Sequence, residues 1–160
     1  MSPRFTLALV AALLGAALVA AAAAIATPSS GLTSEILGRV TMEDRLSVNR
    51  SGIAVRTTKP VEVVTQRVTL ARGGTTGWHH HPGINFVSVV QGALTSYDAT
   101  CKPRTISAGS GFTHSTRDVH VARNEGSTAA IFFVTYVKPA PESRLPNAVD
   151  EQAPAGCAVR

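Results

Sequence analysis

Three consecutive histidines near the middle of the chain are the residues best suited to chemistry. They stand in the segment GWHHHPG, and the whole chain of 160 residues holds only five histidines. Successive side chains of a β-strand point to opposite faces, so His79 and His81 share one face and His80 points to the other. Imidazole nitrogens are common metal ligands. The spacing therefore predicts His79 and His81 as a ligand pair for one ion, with His120 of the segment DVHVARN as a third nitrogen donor.

The sequence around the histidines has the pattern of short β-strands. From Ile53 onward Val, Ile, Thr and Phe dominate, and Gly or Pro interrupts the pattern every several residues. The length allows one domain with one core. We therefore predict an all-β fold, a single antiparallel β-barrel over residues 50–140. Its strands are GIAVRTT, VEVVTQRVTLA, TGWHHH, INFVSVVQG, ALTSYDA, RTISAGSGFTH (with a turn inside), VHVARNEG and TAAIFFVTYVKP.

The segments on either side of the predicted barrel have weaker patterns. Residues 27–49 are predicted to be a linker with one possible short helix. Residues 141–160 are rich in proline and polar residues, and are predicted to be an irregular tail.

The N-terminus has the features of a secretory signal peptide, residues 1–26. One arginine precedes a long uncharged run, and that run ends in Ala-Ile-Ala before Thr27, a small-x-small cleavage pattern. The alternative is an uncleaved anchor, because roughly 20 uncharged residues can span a bilayer. The protein is therefore expected to be secreted or extracytoplasmic, and membrane-anchored if the signal stays attached.

Two cysteines follow the signal, Cys101 and Cys157. An even cysteine count in an exported protein favours a disulfide, which would fasten the tail to the barrel. The alternative is a pair of free thiols. A metal site built on the cysteines is not indicated, because neither has a second cysteine or a histidine at ligand spacing.

The charge pattern indicates no nucleic-acid partner. The chain has 15 Lys and Arg against 10 Asp and Glu, a formal net charge of +5. The basic residues are scattered, whereas nucleic-acid binding requires a clustered patch. No membrane partner is expected after signal cleavage.

Two segments resemble the two motifs of the cupin superfamily. GGTTGWHHHPGINFVSVVQG resembles the first, in which Gly, His-x-His, Glu and Gly follow at set spacings. GSGFTHSTRDVHVARN resembles the second, in which Gly, Pro-x-Gly, His and Asn follow. The resemblance covers about residues 53–138, extends to small exported single-domain cupins of bacteria, and implies a cupin-type barrel (double-stranded β-helix). The residues that fall on the motifs are Gly73, His79, His81, Gly92, Gly109, His120 and Asn124.

The chain departs from these motifs at two places. The glutamate that completes the metal site of metal-binding cupins is replaced by Asn85, and Pro-x-Gly is replaced by residues 115–117. The implied ligand set for a divalent metal ion of unassigned identity is therefore His79, His81, His120 and Asn85. An ion held by neutral ligands keeps its full charge, which favours an anionic ligand or an acidified water. Asp118 could supply the missing carboxylate, or could be a turn residue at a strand start.

These observations predict an exported single-domain cupin that binds a divalent metal and acts on a small molecule. The alternative is a non-catalytic ligand-binding or structural barrel whose histidines are buried without metal. Whether the protein is an enzyme is left open, and no catalytic residue is assigned. His80 beside Trp78 is expected at the surface or an interface, His114 at the barrel rim, and Tyr136 in the core or a dimer contact. A small-molecule ligand and a possible homodimer are the expected partners.

Overall fold

The computed structural model describes residues 26–114, 117–140 and 146–159, and these ranges contain β-structure without helix. The predicted all-β fold is confirmed. No segment within these ranges forms a helix that could span a membrane. The described residues form twelve strands: β1 (Ser30–Met42), β2 (Ser47–Arg50), β3 (Ile53–Arg56), β4 (Val61–Thr75), β5 (His79–His80), β6 (Ile84–Gln91), β7 (Ala93–Asp98), β8 (Pro103–Ser107), β9 (Gly111–His114), β10 (His120–Arg123), β11 (Ala130–Pro139) and β12 (Val149–Asp150).

Ten of the described strands form one antiparallel sheet that curls into a nearly closed barrel. Strands β1, β4, β11, β6 and β9 pair in that order and form one wall, called here the long wall. Strands β8, β7, β10, β5 and β12 form the facing wall, called here the short wall. The walls join where Thr75 of β4 lies opposite Arg123 of β10. Strands β2 and β3 pair separately as a hairpin.

The inner faces of the strands build the core by simple alternation. In β11 every second residue is buried, and in β6 Asn85, Val87 and Val89 are buried while their neighbours are exposed. Because the side-chain period of a strand is two, one face of each strand packs inward. The inward apolar side chains form one cluster: Val64, Val68, Leu70, Val87, Val89, Leu94, Ile106, Ala130, Phe132, Val134 and Tyr136.

The N-terminal segment differs from its prediction as a linker with a short helix. Residues 30–42 form the long strand β1, which pairs with β4 from Ser30 opposite Thr75 to Met42 opposite Val61. Without β1, the outer edge of the fifteen-residue strand β4 would present unpaired backbone groups. The pairing with β4 decides the conformation, because the local pattern of this segment is weak. The predicted signal peptide lies, apart from Ala26, outside the described residues.

The C-terminal tail packs along the short wall. Its strand β12 pairs with β5, and the Glu151 amide donates a hydrogen bond to the Trp78 carbonyl at 2.8 Å. The indole nitrogen of Trp78 donates to the Val159 carbonyl at 2.9 Å, and the side chain is fully buried. Trp78 shares the outer face of the strand with His80, and the tail covers that face at Trp78.

The predicted disulfide is present and ties this tail to the barrel. Cys101 lies between β7 and β8, and its Cα is 5.7 Å from that of Cys157, within the span a disulfide requires. The two cysteines are 56 residues apart in the sequence. The bond therefore closes a long loop in the unfolded chain.

Replacing both cysteines with serine should lower the free energy of unfolding by about 4 kcal/mol, the chain-entropy value for a loop of this length. Denaturant unfolding of the double variant and of the oxidised parent measures the difference. If mass spectrometry of the unreduced protein finds two free thiols, the disulfide between Cys101 and Cys157 is not formed. Equal stability of parent and variant would show that the bond does not constrain the unfolded chain.

Candidate metal centre and its cavity

The three predicted histidine ligands are brought together on the short wall. His79 lies in β5, His81 follows that strand directly, and His120 begins β10. Strands β5 and β10 pair with His79 opposite His120, which places these side chains on the same face. His81 is two residues beyond His79 and shares that face. The alternation argument thus accounts for the convergence of all three rings.

The three rings form a compact buried cluster. Their centroids are 4.8 Å apart for His79 and His81, 4.3 Å for His79 and His120, and 5.1 Å for His81 and His120. One nitrogen of each ring lies within 4.8 Å of the others, and all three residues are buried. This is a cluster of nitrogen donors that could hold a metal ion.

Hydrogen bonds to backbone carbonyls fix the tautomer of each ring. Nδ1 of His79 lies 2.9 Å from the Gly77 carbonyl, and Nδ1 of His81 lies 2.7 Å from the Asn147 carbonyl. Nδ1 of His120 lies 2.7 Å from the Asp118 carbonyl. A carbonyl oxygen can only accept, so each Nδ1 carries a proton and each Nε2 keeps its lone pair. Metal-binding histidines are typically held this way by their outer nitrogen.

Burial keeps these rings neutral. Desolvation, followed by the charge of His79, lowers the pKa of His81 to about 3. The same two causes in the same order lower the pKa of His120 to about 2. Desolvation also lowers the pKa of His79. A neutral imidazole has the lone pair that a metal needs, so the cluster is ready for an ion at neutral pH without losing protons.

His80 points away from this cluster, as strand alternation requires. The residue is half-buried, and its Nδ1 lies 2.7 Å from a carboxylate oxygen of Glu151 in the tail. The partner of His80 is therefore the C-terminal segment that covers the outside of the short wall.

Asn85, the fourth predicted ligand, lies on the long wall. Its side chain is buried, and Oδ1 accepts a hydrogen bond from the His114 amide at 3.1 Å. The oxygen that would ligate a metal therefore already has a donor, and Asn85 as a ligand stays a prediction. Asp118 is exposed and its backbone carbonyl binds His120. Among the described residues, no carboxylate joins the histidine cluster.

Three residues at the site were not predicted to belong to it. The His114 ring stacks on His120 with centroids 3.6 Å apart, and the Tyr136 ring lies 5.4 Å from His81. Asn147 in the tail holds His81, and its side chain binds Lys138 at 3.0 Å and Gln66 at 3.2 Å. Strand alternation alone places Tyr136 on an inner face. Only the pairing of distant strands shows that it faces the histidines.

The cluster opens into a cavity of about 450 Å³ between the two walls. This volume suits a small molecule. Most of its lining is apolar, and its polar part includes the three histidines of the cluster. The residues that line it include Leu32, Val68, Val87, Leu94, Phe112, Phe132, Val134, Gln66, Asn85, His114, Tyr136 and Asn147.

Comparison with known proteins matches this barrel to a described domain family. The family model described as the cupin domain matches residues 66–136, which contain His79, His81, Asn85 and His120. No curated protein matches the chain at a significant level.

Several solved structures are similar to the chain. An oxalate oxidase in complex with the substrate analogue glycolate is 29% identical over 49% of this chain and 43% of that chain, with a TM-score of 0.45. The chain thus spans less than half of that oxidase. The cupin domain of an XRE family transcriptional regulator from Enterobacter cloacae is 16% identical over 70% of this chain and 100% of that chain, with a TM-score of 0.49. A double-stranded β-helix protein from Klebsiella pneumoniae is 21% identical over 56% of this chain and 75% of that chain, with a TM-score of 0.48.

The family match spans the strands that carry both histidine motifs. It begins within β4 and ends within β11, so it contains the His-x-His segment, the short strand of His120 and most of the cavity lining. The two motifs lie in the order and spacing that the resemblance requires, and the strands that carry them close into an antiparallel barrel. Residues 66–136 of the barrel are thus identified as a cupin domain.

Proposed function

We propose that this protein is an exported cupin that binds one divalent metal ion through Nε2 of His79, His81 and His120 and acts on a small molecule in the adjoining cavity. The observation that carries the proposal is the set of three Nδ1 hydrogen bonds to backbone carbonyls. They leave three Nε2 lone pairs in one buried cluster. A structural barrel needs no such common orientation of its histidines.

The donor set fits a metal with open coordination positions. Three imidazoles are neutral, so a bound divalent ion keeps its charge and can polarise a ligand oxygen or acidify a water. The protein supplies the remaining functions: it orients the rings, removes bulk water from them and encloses the ligand. The apolar lining, with Phe112 and Phe132, favours a ligand with a small apolar body.

The ring of His81 is held through a polar network, part of it buried, that reaches across the barrel. Asn147, whose carbonyl binds His81, accepts a hydrogen bond from Lys138, and Lys138 pairs with Glu62 at 3.1 Å. Glu62 also pairs with Arg39 of β1 at 2.6 Å. Such a network restricts the position of a ligand, which a site for a metal requires.

Export is supported by two features. The N-terminal apolar run with a small-x-small end fits a signal peptide. The disulfide between Cys101 and Cys157 is typical of proteins that fold in an oxidising compartment.

Metal addition to the metal-free protein tests the proposal. We expect elemental analysis after dialysis against Zn²⁺, Mn²⁺ or Fe²⁺ to find about one ion per chain for at least one metal. We also expect that metal to raise the midpoint of thermal unfolding, because it binds the folded chain better than the unfolded one. No retained ion and no shift with any of these metals would favour the alternative, a ligand-binding or structural barrel without metal.

A further inference from the structure

A row of three side chains crosses the inner face of the long wall opposite the histidine cluster. Tyr136 of β11 is the register partner of Asn85 in β6, and Asn85 is the partner of His114 in β9. Paired residues of antiparallel strands project from the same face. We call Tyr136, Asn85 and His114 the facing row.

The two ends of the facing row contact the cluster. The ring of Tyr136 lies 5.4 Å from that of His81, and the ring of His114 stacks on that of His120. Asn85 lies between these ends, so its side chain faces the cluster from the middle of the row. All three residues of the row line the cavity.

The stacked arrangement makes His114 a wall of the cavity instead of a metal ligand. Its ring is inclined by only 20° to that of His120, at a centroid distance of 3.6 Å. The nitrogens of two nearly parallel rings point along parallel planes, so they do not converge on one ion. The three nitrogen donors of the cluster accordingly do not include His114.

The amide of Asn85 has a fixed orientation. The atom that lies 3.1 Å from the backbone nitrogen of His114 must be an acceptor, because that nitrogen donates. Oδ1 is thus committed to β9, and Nδ2 remains as the donor of the amide. Within the described part of the chain, Nδ2 has no hydrogen-bond acceptor.

The hydroxyl of Tyr136 is a second donor without a protein partner. The residue is buried, and no described residue accepts a hydrogen bond from it. Because Tyr136 lines the cavity, a polar ligand atom there can accept a hydrogen bond from this hydroxyl without displacing a protein partner. The same wall therefore presents two unused donors toward the histidine cluster.

We propose that Asn85 Nδ2 and the Tyr136 hydroxyl form a subsite that binds the carboxylate of a small ligand across the cavity from the three histidines. Two neutral donors complement an anionic oxygen, and hydrogen bonds to a charged group are stronger than neutral ones. A glutamate at position 85 would present an acceptor and a negative charge here, whereas asparagine presents a donor. The replacement changes the preference of this wall from cations to anions.

Two other charged residues line the cavity. Arg39 is held by Glu62, and Asp150 is an exposed residue of β12 on the short wall. Next to the subsite the lining is apolar, with Val87, Phe132 and Val134. The ligand class is therefore a carboxylate attached to a small apolar body.

Calorimetric titration with benzoate tests this inference, which builds on the proposed function by assigning the ligand side of the same cavity. Benzoate should bind the zinc-loaded protein at least tenfold more tightly than the neutral isostere benzamide does. Tyr136→Phe should weaken benzoate binding about tenfold, the effect of one hydrogen bond to a charged group. Asn85→Asp keeps the acceptor for His114 but adds a negative charge, and should weaken benzoate binding about 100-fold. Tyr97→Phe is the matched control, because that tyrosine bonds to Glu125 at the surface, and it should leave the affinity unchanged.

The same titration on zinc-free protein separates this inference from the metal proposal. Without zinc, benzoate should bind every form more weakly, but the parent, Tyr136→Phe and Asn85→Asp should keep the same order of benzoate affinity. If wild-type protein retains no metal while the variants keep this order of benzoate affinity, the metal proposal fails and the subsite stands. The subsite is overturned if benzoate does not bind in either state, if benzamide binds equally well, or if Tyr136→Phe and Asn85→Asp behave like Tyr97→Phe. Thermal unfolding of each variant checks that its fold is retained.

Discussion

His81→Ala should reduce the affinity for divalent metal by more than about 100-fold. Loss of a partner that only orients a ligand typically costs 10- to 100-fold in metal affinity, so loss of the ligand itself exceeds that range. His81 contributes one of three nitrogen donors, and the remaining pair, His79 and His120, cannot hold an ion of the same kind with comparable strength. Competition with a chromophoric chelator measures the affinity in parent and variant.

His80→Ala is the matched control for this experiment. It removes an adjacent imidazole of the same segment that binds Glu151 on the opposite face of the strand. The His80 variant should keep the parent's metal affinity to within a few fold. Loss of metal in the His80 variant and retention in the His81 variant would mean that the register is shifted by one residue, which exchanges the two faces.

The metal-free protein should lose stability steeply when the pH falls below about 6.5, the ordinary pKa of histidine. The folded-state pKa values of His81, about 3, and of His120, about 2, are depressed, so the unfolded chain takes up protons first. Stability is fully present above the unfolded pKa and is lost as the pH falls toward the folded values. In this interval each of the two groups lowers the free energy of unfolding by up to about 1.4 kcal/mol for each unit that the pH falls. His79, whose pKa is also lowered by burial, acts in the same direction.

Urea unfolding at intervals between pH 7.5 and pH 4.5 in the presence of chelator measures this dependence. His120→Gln replaces one titrating ring by a neutral polar side chain. Between pH 6 and pH 4.5 the free energy of unfolding of this variant should fall less steeply with pH than that of the parent, by the equivalent of about one proton taken up on unfolding. A free energy of unfolding that stays constant from pH 7 to pH 5 would contradict the buried neutral cluster.

The alternation of residue types was enough to predict most strands and the faces of the three histidines. Side-chain direction in a strand is a local property with a period of two, so HHH fixes which rings can meet once the strand is recognised. His120 followed from its own strand-like segment, and the disulfide from the even cysteine count in a chain with a signal-like N-terminus. The cupin resemblance rested on the same residues and their spacing.

Tertiary pairing alone decided the rest of the site. Strand β1 forms because β4 offers it an edge, although residues 27–49 have no strong pattern of their own. Trp78 is buried by a tail whose position depends on a disulfide and on pairing with β5. The facing row of Tyr136, Asn85 and His114 exists through the register of three strands that are distant in sequence. A sequence determines which way a side chain points along its own strand, but the residue that it faces is set by how separate strands align, and that depends on packing of the whole barrel.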